Sequence, residues 1–179
     1  MLIKIEQIFN KFIDFMGNIL VVILLLMILN VFYDVVMRYA FHNSSIAMQE
    51  MEWHLFAILI LFGTSYSLKE NAHVRVDFLY EKFSEKTKAI INIIGTIMFL
   101  LPFTGLIIYG SYDFVMDSYS VNETSGDPGG LKYLWMIKAT IPVSFTVLFL
   151  EGLNYIIKNI NIYRGVERAK KIDPQGALS

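Results

Sequence analysis

The chain has 179 residues, of which 55% are hydrophobic, 15% aromatic and 17% charged, and its mean hydropathy is +0.52. Soluble domains carry about 25% charged residues, so this composition selects a membrane protein. A net charge of −1 leaves no electrostatic footprint for nucleic acid, and the lack of cysteine excludes a disulfide framework, a thiolate metal site and a thiol nucleophile.

In chain order, Ile5, Ile8, Phe9 and Phe12 recur at i, i+3, i+4, i+7 between Lys4, Glu6, Gln7 and Lys11. That single apolar stripe predicts a short amphipathic helix lying in a membrane interface. The first span is predicted over 13–37, since about 20 apolar residues cross a hydrocarbon core of about 30 Å. Lys4 and Lys11 before an apolar core also fit a secretory signal. No small-residue cleavage site follows and the apolar character runs on to Met37, so an uncleaved helix is expected.

The second span is predicted over 49–68, with Gly63 and Ser67 spaced to permit close helix approach. Small residues merely tolerated there are the alternative reading. The segment from Lys69 to Lys88 is basic, and Val76, Leu79, Tyr80 and Phe83 predict a second surface helix. Ser84 reads as the N-cap of the next helix, with Glu85 near its positive end. The third span is predicted over 89–110 with a kink near Pro102, and the fourth over 133–157 with a kink at Pro142. Between them, Asp117 to Lys132 is turn-rich and polar, with Asp127-Pro128-Gly129-Gly130 at its centre. A flexible polar tail is expected over 158–179. The whole is read as one all-α domain, 1–179, with four transmembrane helices.

Twelve of the fifteen Lys and Arg residues fall in the N-terminal segment, the middle loop and the tail. Cytoplasmic segments collect these residues, so both termini are predicted to be cytoplasmic. Asp34, Glu50, Glu52, Asp113, Asp117, Glu123 and Asp127 then lie at the outer side. Trp53 and Trp135 fall near the outer boundary, as belt aromatics or as partner contacts.

Chemistry-bearing residues are sparse. His42, His54 and His73 are scattered, and no zinc-protease, phosphate-loop or serine-hydrolase motif occurs. Glu50 and His54 share a helix face, which could form one edge of a metal site but is read as an interfacial hydrogen bond. Arg38 follows an apolar run and is expected to pair with Glu50 or Glu52, because a charge near a span is costly without a partner. Lys138 and Glu151 are too far apart along one helix to pair and are expected to reach the outer and inner interfaces respectively. With no second ionisable group at matching depth, a midplane substrate site is not expected. The pattern suggests no catalytic residue, cofactor or metal.

These residues carry a family resemblance. Arg38 and Tyr39 end the first span, Glu50 opens the second, Gly63 lies late in it, and His73-Val74, Val76 and Asp77 follow. In this order they resemble the DctQ-like small membrane subunit of tripartite ATP-independent periplasmic (TRAP) transporters, over nearly the whole chain. The resemblance implies a large permease subunit, which moves as an elevator and carries the substrate and sodium sites. It also implies a periplasmic binding protein that delivers an organic acid, and a place in the bacterial inner membrane. The small subunit would brace the large one and extend its docking surface. On that reading Gly63 packs helices, Arg38 and Glu50 stabilise the outer end, and His73 and Asp77 organise the inner loop. The family's two adjacent acids are here Gln49 and Glu50, with Glu52 displaced. Asp127-Pro128-Gly129-Gly130-Leu131, Lys138-Ala139 and Pro142 further resemble a subgroup associated with 2-oxo acids. Two other classes fit the size: a haem-bearing membrane anchor, which needs two facing axial ligands, and a stand-alone assembly protein.

Overall fold

The structure is a computed structural model that describes residues 2–70, 72, 80 and 82–165, with side chains from residue 6 onward. Four helices make up the architecture: α1 (Leu2–Ala40), α2 (Ile46–Lys69), α3 (Glu85–Ser120) and α4 (Trp135–Tyr163). Each is long and apolar enough to cross a bilayer. An isolated bridge between Thr124 and Lys132 is the one β pairing among the described residues.

The helices form a layer rather than a closed bundle. α1 packs on α2, α2 on α4, and α4 on α3, with a smaller contact between α1 and α4. The chain therefore has a loop end, with the α1–α2 and α3–α4 connections, and a terminal end, with the start of α1 and the end of α4. None of the most apolar stretch of α2 is buried, and 28% of that of α4 is. A soluble protein could not leave such faces open, but a bilayer or a second membrane chain covers them without penalty.

Small residues hold the layer together. Thr104, Ser111 and Ser118 recur every seven residues on α3, all buried, and α3 packs on α4, where Ser144 and Gly152 are buried too. A seven-residue repeat keeps one seam facing a neighbour, and small side chains let two backbones approach. Three of these hydroxyls return to their own helix: Thr104 Oγ1 donates to the Leu100 carbonyl at 2.8 Å, Ser111 Oγ to that of Ile108 at 3.2 Å, and Ser144 Oγ to that of Ile141 at 2.9 Å. At Gly152 an added Cβ would lie 3.0 Å from Leu100 Cδ2 and 3.2 Å from Leu101 Cδ2.

All four predicted spans lie on these helices, and three boundary expectations change. The N-terminal stripe is not a separate interfacial helix, because α1 runs unbroken from Leu2. No glycine or proline interrupts it before Gly17, and Glu6 and Asn10 are half-buried while Ile8 and Phe12 stay exposed. The third helix continues ten residues past its predicted end at 110, to Ser120. It stops where Asn122 takes φ 47° and the Glu123 N–H reaches the Ser118 carbonyl at 3.0 Å, a Schellman-type ending with Asn in place of Gly. The tail predicted from Lys158 is still helix as far as Tyr163, with Asn159 and Asn161 buried.

Ser84 caps α3, its Oγ accepting the Thr87 N–H at 3.2 Å. The irregularity predicted near Pro102 falls one turn earlier, as a π-turn over Thr96–Leu100 in which the Leu101 N–H bonds the Thr96 carbonyl. Pro102 has no N–H to give to the preceding turn, and the wider turn accommodates that loss. α4 remains helical through Pro142. The surface helix predicted around Val76 and Leu79 falls mostly on residues outside those described.

Candidate functional site

Polar contacts gather at the two ends of the layer, and the loop end is held by three carboxylates. Asp34, 3% exposed, takes the Arg38 guanidinium one turn along α1, and Asn30 Nδ2 donates to the Met48 carbonyl of α2 at 2.9 Å. Arg38 thus pairs with Asp34 and not with Glu50 or Glu52. Four residues along one helix is the nearest reach for a long side chain, and Glu50 is already engaged. Its carboxylate accepts the Ser125 hydroxyl and the Leu131 backbone N–H, the latter at 2.5 Å.

That second bond fixes the α3–α4 connection onto the start of α2. The loop is shaped to reach it. Asp127 N–H donates to Ser125 Oγ at 3.1 Å, Gly130 N–H to the Asp127 carbonyl at 3.0 Å, and Gly129 adopts φ 87°. A Cβ on Gly130 would fall 2.5 Å from Ser125 Oγ and 2.8 Å from Glu50 Oε1, so only glycine fits there.

Glu123 forms the third anchor, with Lys138. The Lys138 ammonium also lies 4.2 Å from the Phe114 ring centroid. This hydrogen-bonded ammonium holds the Glu123 carboxyl below the ordinary glutamate range. A depressed carboxyl pKa contributes order that is complete above the ordinary range, near pH 4.5, and is lost as pH falls through the lower folded value. Trp135, edge-on to Tyr119 with centroids 5.2 Å apart, reports on this corner. In a Trp53→Phe background its emission should hold steady from pH 7 to about 4.5 and change only below that. Lys138→Met should move the transition up into the ordinary glutamate range. Coincident transitions in the two proteins would refute the pairing.

The terminal end holds a denser network. Glu6, Asn10 and Asp14 lie four residues apart on one face of α1. Asn161 Nδ2 donates to Glu6 Oε2 at 2.9 Å, Asn154 Nδ2 to Asn10 Oδ1 at 3.2 Å, and Lys69 pairs with Asp14. Asn154 Nδ2 also lies 3.2 Å from Glu151 Oε2. Glu151 is 2% exposed, so it faces the interior rather than reaching the interface as expected. The amide beside it supplies the donor that a buried carboxylate requires. Across the α3–α4 seam, Asn92 Nδ2 donates to Asn159 Oδ1 at 2.9 Å, and Tyr80 OH to Asn92 Oδ1 at 3.1 Å.

The remaining predicted residues are dispersed. Tyr39 is 75% exposed and Trp53 70%, both at the loop end, while Glu52 is half-buried. His54 donates from Nδ1 to the Glu50 backbone carbonyl at 2.6 Å, so the expected bond goes to main chain rather than to the carboxylate. Close approach of α1 and α2 occurs at Gly17, where a Cβ would meet the Tyr66 ring at 2.7 Å. At Gly63 a Cβ would meet nothing within 4 Å, and Gly63 lines an open groove of about 510 Å³ between the two helices. Ser67 is half-buried, and the fully buried small residue of α2 is Ser65. His73 and Asp77 lie outside the described residues. Among the described residues no three His, Asp or Glu side chains converge as a metal site would require.

The spacing of Glu6, Asn10 and Asp14 was readable as a face, since positions four apart on a helix are neighbours. Asn154, Asn159 and Asn161, three amides on one apolar helix, carried a similar signal. Ser125 and Gly130 gave none, because their partner Glu50 is distant in sequence.

Four membrane-crossing helices with polar contacts concentrated at their two ends define a multi-pass membrane protein. Residues 27–161 match the DctQ component of tripartite ATP-independent periplasmic transporters, and the chain belongs to that family. It is 36% identical over 123 residues to a TRAP transporter small permease protein of Haemophilus influenzae, covering 68% of this chain and 76% of that one. A second Haemophilus influenzae protein of that designation is 25% identical over 147 residues, 82% of this chain and 87% of its own. The C4-dicarboxylate TRAP transporter small permease protein DctQ of Pseudomonas aeruginosa is 27% identical over 118 residues, 62% of this chain and 55% of its own.

Proposed function

We propose that this chain is the static small subunit of a TRAP transporter in the bacterial inner membrane, with both termini cytoplasmic, and that it performs no transport step itself. A large permease subunit carries the organic acid, driven by an ion gradient, and a periplasmic binding protein docks at the loop end. The observation that carries this reading is the openness of the layer. The grooves between α1 and α2 and between α2 and α4 open outward, and the second, about 540 Å³, is lined by Trp53, Phe56, Ile60, Phe114 and Ile141. Such faces suit a neighbouring membrane chain better than an enclosed cargo site. The outward groove beside Gly63 is one place where a foreign helix can approach closely.

Glu50, Glu123, Ser125 and Gly130 stiffen the loop end, which supports its use as a preformed docking platform for a soluble partner. The solute is an organic acid by family, and a 2-oxo acid on the analogy of the Asp127–Leu131 turn. Reconstitution tests the reading. Proteoliposomes holding both membrane subunits and the binding protein should take up the organic acid, and omission of this chain should abolish uptake. Uptake by this chain alone, or uptake unchanged without it, would overturn the assignment.

A further inference from the structure

We propose that the cleft between the start of α3 and the end of α4 is a binding site for the phosphate headgroup of an anionic phospholipid from the inner leaflet. The cleft, about 250 Å³, is lined by Glu85, Lys88 and Asn92 from α3 and by Tyr155, Lys158 and Asn159 from α4. Its floor is tied together, because Asn92 Nδ2 donates to Asn159 Oδ1 at 2.9 Å across the helices and Asn159 Nδ2 donates onward to the Tyr155 carbonyl at 2.8 Å. Its walls are cationic from both sides. Lys88 bonds Glu85 at 3.2 Å and Lys158 reaches the Lys69 carbonyl at 3.5 Å. An ammonium has three donors, so these single bonds do not exhaust either lysine, and the Lys88 ammonium also lies 5.6 Å from the Tyr80 ring centroid. Among the described lining residues, two ammonium groups stand against the one Glu85 carboxylate.

The surroundings favour a lipid over a free anion. One turn from the cleft, Ile90, Ile91 and Ile94 are exposed along α3, where acyl chains would run. Lys86 beside the Tyr163 ring, with Arg164 next in the chain, adds positive charge at the rim. Basic pockets between membrane helices on the cytoplasmic side are known places for such headgroups. The inference needs the terminal end to face the cytoplasm, but it does not depend on what the transporter carries.

The test uses the full chain, delipidated in a non-ionic detergent. Thermal unfolding is followed with phosphatidylglycerol, phosphatidylcholine or inorganic phosphate added, and bound lipid is counted by native mass spectrometry. Phosphatidylglycerol should raise the midpoint by about 4 °C at saturation, with phosphatidylcholine giving little. Lys88→Gln/Lys158→Gln should abolish most of that shift and the retained lipid, whereas Lys11→Gln, an exposed lysine of α1 outside the cleft, should keep both. If the double variant melts early without lipid, the mass-spectrometric count still decides between them. Equal shifts from the two lipids, or retention by the Lys88/Lys158 variant, overturn the proposal. A full shift from inorganic phosphate alone overturns its lipid assignment.

Discussion

Asn154→Leu should destabilise the terminal end more than any other single change there. The side chain is 1% exposed and its Nδ2 holds two helices at once, with Glu151 Oε2 at 3.2 Å on α4 and Asn10 Oδ1 at 3.2 Å on α1. Leucine has nearly the same volume, so no cavity explains the effect. What remains is a buried carboxylate without its donor. Taking the donor from a buried hydrogen bond to a carboxylate costs about 1.5–3 kcal/mol, or roughly 3–12 °C in a chain of this size. The companion result makes the prediction specific. Asn154→Leu/Glu151→Leu removes the stranded charge as well, and replacing both members of such a pair by apolar residues is close to neutral. The double variant should therefore recover most of the lost midpoint in detergent. A single variant that melts with the wild type, or a double variant no better than the single, would show that Glu151 does not depend on Asn154.

The reason this cluster was hard to read lies in how a membrane sequence encodes burial. In a soluble protein the inward face of a helix is its apolar face, but a stripe such as that through Ile8 and Phe12 does not say by itself whether it meets lipid or protein. In a bilayer the outside is apolar too, so α1 places Ile8 and Phe12 outward and turns Glu6 and Asn10 to its neighbours. The same inversion explains why Lys158 was taken to begin a loose tail, when Asn159 and Asn161 sit inside. The spans themselves needed only length and hydropathy, and the cap at Ser84 needed only its own turn, so both were legible. Long-range partners were not. Arg38 follows an apolar run and is expected from sequence to pair with Glu50 or Glu52, but Asp34 lies one helical turn away and Glu50 is held by a loop 75 residues further on.

Gly130→Val should release that loop while leaving the four helices in place. The built Cβ of residue 130 lies 2.5 Å from both Cβ and Oγ of Ser125 and 2.8 Å from Glu50 Oε1, so a branched side chain cannot enter unless the loop lifts off. Overpacking costs about 1–3 kcal/mol, and each lost hydrogen bond to the Glu50 carboxylate about 1.5–3 kcal/mol. The loss is local, because the loop end can open without parting the α3–α4 seam. Since the chain contains no cysteine, Leu131→Cys gives a single half-buried reporter in that loop, and its reaction with a bilayer-impermeant maleimide measures opening. Every 1.4 kcal/mol is a factor of about ten, so labelling should accelerate at least tenfold in Gly130→Val. Glu50→Leu should give a similar rate from the other side of the contact. The two changes combined should add little more, because both remove the same bonds. Gly129→Val is the useful contrast. Its backbone sits at φ 87° with open space around the missing Cβ, so the strain there is conformational and Glu50 can keep its grip on Ser125. If Gly130→Val labels at the wild-type rate, the Glu50 clamp is not what closes the loop.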